Sequence, residues 1–72
     1  MNRDVIEQIL RDYDALREPV ADPELEAVST AILIEDVFGV VLSDAEIDAA
    51  VLADRADRSP VAALVARLVE ST

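Results

Sequence analysis

Any chemistry in this 72-residue sequence must come from carboxylates, hydroxyls and guanidiniums, because it contains no His, Cys or Lys. That removes a Ser–His pair, a thiolate, a Schiff base and an imidazole metal ligand. Two carboxylates could still share a proton-transfer task, and Glu35 and Asp36 are the nearest pair. Neighbours in a helix do not face each other, so they make a poor acid–base couple. Asp44, Glu46, Asp48, Asp54 and Asp57 invite a calcium reading. A calcium loop of the EF-hand type alternates its ligands around a central Gly, and this segment has none. The expectation is a protein without a catalytic residue, metal or cofactor.

The formal charge is −10, from 16 acidic residues against six basic ones, every one of them Arg. Such a field disfavours nucleic acid and anionic membrane as partners and favours a protein with a basic surface. No apolar run approaches the roughly 20 residues needed to span a bilayer. No basic-then-apolar leader opens the chain, which gives the expectation of a soluble, cytoplasmic protein. With 53% hydrophobic residues, almost all aliphatic, the composition is that of a small helical domain and not of an acidic disordered tail. One domain over 1–72 is expected. Its core should be thin, because a chain this short buries only about 60% of its unfolded surface.

Four helices must position these acids. Val5, Ile6, Ile9, Leu10, Tyr13 and Leu16 recur at helical spacing, predicting a first helix over about 3–17 with Asn2 as its cap and Glu7–Arg11 as an i,i+4 pair. Asp22 reads as the cap of a second helix, with Pro23 in its first turn and Gly39 as a left-handed stop after Phe38. The apolar residues of that helix, Leu25, Val28, Ile32, Leu33, Ile34, Val37 and Phe38, point in several directions. Either several neighbours surround it or part of its surface is kept for a partner. Leu33, Ile34 and Val41 are candidates for such a dock, with the core as the competing assignment. Phe38 is expected to be the main core aromatic. Val40–Leu42 reads as an extended apolar link. Ser43–Glu46 has the form of a capping box, predicting a full third helix over about 44–56 with Ile47, Ala50 and Val51 inward and Leu52 to one side. Ser59-Pro60 repeats the cap-plus-Pro pattern ahead of a fourth helix over about 60–70, with Val61, Leu64, Val65 and Leu68 on one face.

Leu25-Glu26-Ala27-Val28, Ile34-Glu35-Asp36-Val37-Phe38-Gly39-Val40 and Ser43-Asp44-Ala45-Glu46 together resemble the second helix and following loop of acyl carrier proteins. The likeness extends over about 22–69 in pattern and is specific over about 25–44. It implies an all-α, four-helix, carrier-like bundle whose second helix docks on biosynthetic enzymes, with Glu24, Glu35 and Asp36 as the acids that would meet a basic patch on the partner. In that family a Ser at the start of the second helix carries a phosphopantetheine arm. The positions here read Asp22-Pro23-Glu24-Leu25, with a carboxylate at 24 and no hydroxyl. Ser29 lies more than a turn further in, and Ser43 and Ser59 read as caps. The loop between the first two helices is also shorter than the family's, and the third helix is expected to be longer.

Three functions stay open at this point. The first is a carrier-like, non-catalytic partner of biosynthetic enzymes, without phosphopantetheine. The second is a working carrier using an atypical Ser, Ser29. The third is an acidic regulatory protein, antitoxin-like, that occupies a cationic partner site. A monomer or weak homodimer fits all three.

Overall fold

In the computed structural model, which describes residues 2–71, α1 spans Arg3–Leu16 and α2 spans Pro23–Phe38. A single 3-10 turn covers Asp44–Glu46, α3 is the short Ala49–Leu52, and α4 runs Ser59–Ser71. There is no strand among the described residues. No helix among them is long and apolar enough to cross a membrane.

The first two helices begin and end where their chemistry dictates. Asn2 accepts the Asp4 N–H at 2.7 Å, and Asp22 accepts that of Glu24 at 2.9 Å. Each side chain satisfies one of the four N–H groups that a helix start leaves open. Gly39 adopts φ 68°, and its N–H returns to the Glu35 carbonyl at 3.0 Å. The Glu7–Arg11 pair closes at 2.7 Å on the solvent side.

The expected third helix over 44–56 is broken. Asp48 accepts the Ala50 N–H and starts a new, four-residue helix. Asp54 accepts the N–H groups of Ala56 and Asp57. Short acidic side chains thus offer the backbone local partners that compete with a continuous ladder. The Leu52 carbonyl is taken by Arg58 Nη1 at 2.7 Å, so α3 ends on a side chain. At the capping box, the Glu46 carboxylate receives both the N–H and the hydroxyl of Ser43. Near α4 the cap shifts by one residue: Ser59 is already helical, and it donates its N–H and hydroxyl to Asp57.

α1 lies along α4, while α2 packs on α3 and more lightly on α4. Ile6 and Leu10 of α1 meet Ile34, Ala27 and Ala31 of α2, Leu52 of α3, and Val61, Ala62, Val65 and Ala66 of α4 in one core. Val40 and Leu42 plug it, while Val41 between them points out at 81% exposure.

The core corrects several expected placements. Leu52, expected to one side of its helix, is fully buried. Phe38 is only half-buried against the core and is not its centre. Leu64 and Leu68 are half-buried, and the alanines of α4 take the inner positions instead. Small residues there bring the backbones close, which leaves less room for long side chains. On α1 the predicted stripe is too wide for its single neighbour, so Val5, Tyr13 and Leu16 stay exposed.

Candidate functional site

The outward face of α2 is the first candidate. At 3.6 residues per turn, Leu25, Val28 and Ile32 fall within about 60° of one another, nearly opposite the buried Ala27, Thr30, Ala31 and Ile34. They are 59%, 46% and 54% exposed. α2 is apolar on nearly every side, yet no neighbour covers this one. Of the acids predicted for docking, Glu24 and Asp36 are exposed and bound the stripe at its two ends. Twelve residues of helix put them about 18 Å apart. Glu35 is half-buried and accepts the Leu42 N–H at 3.1 Å, so part of its role is to pin the link after α2. Of the apolar dock candidates, Ile34 is core, Leu33 is half-buried and Val41 is exposed. Beside the stripe lies an open groove of about 480 Å³, with Glu24, Ala27 and Val28 on one wall and Ala45, Ile47 and Ala49 on the other.

Ser29 has a different setting. It is half-buried, and its hydroxyl receives Arg17 Nη1 at 2.5 Å. The hydroxyls of Ser43, Ser59 and Ser71 donate to Glu46, Asp57 and the Arg67 carbonyl.

Ser29 belongs to a cluster that sequence reasoning did not find. Arg58 is 1% exposed, and a guanidinium is almost never buried this fully unless it is paired. Its Nε and Nη2 grip the two oxygens of Asp14 at 2.7 and 3.0 Å, a two-pronged pairing that the planar guanidinium is shaped for. Nη2 also reaches the buried Thr30 hydroxyl at 3.4 Å. Arg17 adds a second contact to Asp14 at 2.9 Å and lies 3.5 Å from the buried Glu26 carboxylate. Arg55 donates its Nε to Glu26, and its other nitrogens reach the carbonyls of Asp14, Arg17 and Glu18. Three guanidiniums therefore face two carboxylates. The surplus charge rests on carbonyls at the C-terminal end of α1, where the helix dipole is negative. Burial works against the Asp14 charge, but hydrogen bonds and charge from Arg58 and Arg17 outweigh it and hold its carboxyl below the ordinary value.

The cluster ties the end of α1, the first half of α2 and the loop after α3 into one unit, across a seam where α1 and α2 make no close backbone approach. The sequence holds only general hints of it, basic residues that are all Arg and Arg55 and Arg58 set in a loop of short acids, and neither names a partner. The other loop acids act as caps. Hydrogen bonds from the Ser43 backbone and hydroxyl lower the Glu46 carboxyl, and those from the Ser59 hydroxyl and backbone lower Asp57. No protein-family model, curated protein or solved structure matches the chain.

Proposed function

We propose that this protein is an acyl-carrier-like, non-catalytic interaction partner of biosynthetic enzymes that works without a phosphopantetheine arm. The observation that carries the reading is Glu24. It is an exposed carboxylate in the first turn of α2, at the rim of an open groove, where the carrier pattern has its modified hydroxyl. It sets a fixed negative charge at the position where a carrier bears a phosphodiester. Two further observations support the reading. α2 presents acids and apolar side chains together on its free face. The third helix, Ala49–Leu52, is short, as the carrier pattern has it, although the segment between Ser43 and Ser59 that holds it is longer than the pattern's.

Ser29, the atypical attachment point of the alternative reading, is half-buried and bonded to Arg17. An arm there would have to displace a guanidinium already shared with Asp14. The test is the intact mass of the chain after co-expression with a phosphopantetheinyl transferase and coenzyme A. No mass gain is expected. Stoichiometric modification mapped to Ser29, or to any other Ser, would overturn the proposal and restore the working carrier.

A further inference from the structure

We propose that the groove beside the α1–α2 linker binds a small neutral molecule, a hydroxyl on a compact aliphatic body. The hydroxyl donates to Glu26, and the body rests on the apolar walls.

Pro19, Val20 and Ala21 of the linker form one part of an open groove of about 350 Å³, and Pro23 and Ala53 complete its apolar lining. Glu26 and Arg55 supply its polar groups. Small-molecule sites run from about 300 to 1,000 Å³, so this one suits a small ligand. Its walls are preformed. Each proline fixes its own φ, and Arg55 holds the carbonyls of Arg17 and Glu18 where the chain enters the linker. A ligand meets a surface that needs little ordering on binding.

Glu26 is 3% exposed, and its Oε1 accepts a hydrogen bond from Arg55 Nε. Its Oε2 is buried with no donor on it. Arg17 Nη1 stands 3.5 Å away, where charge attracts but no hydrogen bond forms. Arg17 Nε is buried as well, with no acceptor, while the other two nitrogens of that guanidinium serve Ser29 and Asp14. Buried polar atoms without a partner are few in folded proteins and costly. Here one residue pair holds both kinds, an acceptor lacking a donor and a donor lacking an acceptor. A hydroxyl is donor and acceptor at once, so one group at Glu26 Oε2 can serve both.

Charge selects a neutral ligand. A cation would enter beside Arg17, Arg55 and Arg58, which already outnumber Asp14 and Glu26. An anion would press on the buried Glu26 carboxylate. It would also pass Glu18, Asp22 and Asp54, exposed acids adjacent in sequence to the groove's residues, on a chain of net charge −10. Burying either charge costs far more than burying a hydroxyl that finds its partners. None of these groups lies on the outward face of α2, so the groove takes its ligand whether or not the chain is carrier-like.

The experiment is a nuclear magnetic resonance titration of the full, isotopically labelled chain with cyclohexanol. Three probes of matched shape accompany it: cyclohexyl methyl ether, cyclohexylammonium and cyclohexanecarboxylate. Cyclohexanol should bind saturably with a dissociation constant of about 1–10 mM, as expected of a ligand of about seven non-hydrogen atoms. The amides of Val20, Ala21 and Ala53 and the Glu26 carboxyl carbon should move together. The ether accepts but cannot donate, and it should bind about ten-fold more weakly or worse, because the bond it loses is to a charged group. The ammonium and the carboxylate should also bind more weakly than the alcohol. Ala53→Leu fills the groove from a half-buried position, and it should abolish binding while keeping the parent melting temperature.

Equal binding of alcohol and ether would overturn the inference, because the donor would then be idle. So would tighter binding of either ion, shifts centred elsewhere on the molecule, a Glu26 carboxyl signal that stays still, or no saturable binding at all. A folded Ala53→Leu that binds as the parent does would also overturn it. Should Ala53→Leu not fold, the ether comparison and the Glu26 signal decide.

Discussion

Arg58→Ala is the substitution with the largest expected effect on this fold. The change deletes the two-pronged grip on Asp14, the bond to the Leu52 carbonyl that ends α3, and the contact with Thr30. It also leaves a void where a fully buried side chain stood. Breaking one partner out of a buried pair costs about 3–5 kcal/mol. Asp14 keeps Arg17, which places the expected cost near the lower end, about 3 kcal/mol. A core this small supplies only about 3–5 kcal/mol in total, so the variant should be largely unfolded or close to it. The unfolding entropy of roughly 2.1 cal/mol/K per residue, over this chain length, makes 3 kcal/mol equal to a melting shift of about 20 °C. Urea and thermal unfolding followed by circular dichroism measure both quantities. The double variant Asp14→Leu with Arg58→Met should recover much of the loss, because apolar side chains can replace a buried ion pair once both charges are gone. A cost below about 1 kcal/mol for Arg58→Ala would mean that water replaces the guanidinium, and that the cluster does not hold the helices together.

Three further outcomes follow from particular residues. The Asp14 carboxyl is depressed in the folded protein, so its contribution is fully present above its unfolded value of 3.8 and is lost as pH falls through the lower folded value. Urea unfolding at a series of pH values should show stability falling steeply below about 3.8, and Asp14→Asn should flatten that limb. Phe38→Ala should cost about 1–3 kcal/mol by the same melts, less than a fully buried Phe, because its ring is only half covered. Gly39→Ala should cost about 1 kcal/mol, all of it from the left-handed backbone at φ 68°, since an added Cβ meets nothing within 4 Å. Gly39→Asn should cost less, and equal losses for the two would point to a hidden contact.

Legibility in the sequence followed the range of the interaction that fixes each feature. The ends of α2 were readable because Asp22, Pro23 and Gly39 act within one turn of themselves. The third helix was misread because Asp48 and Asp54 look helix-compatible in a pattern of apolar spacing, while their side chains bond their own backbone. Arg58 was invisible for a different reason. Its partners Asp14 and Thr30 lie 44 and 28 residues away, so no local window contains the pair. The stripe on α2 was half visible. Its residues were recognised as pointing in too many directions, but only the packing shows which of them are left without a neighbour. Glu24 and Asp36 are exposed, and Glu35 makes a backbone bond that the sequence did not suggest.

The uncovered stripe also governs how this molecule behaves in crowded solution. Identical chains with Leu25, Val28 and Ile32 open to water are held apart by the mutual repulsion of ten net negative charges per molecule. That repulsion vanishes at the isoelectric point, near pH 4.1, which is still above the range where Asp14 takes up its proton. Around the isoelectric point the chain keeps its fold but loses its colloidal protection. Turbidity should therefore appear before unfolding as acid is added, and native protein should redissolve from the precipitate when base restores the charge.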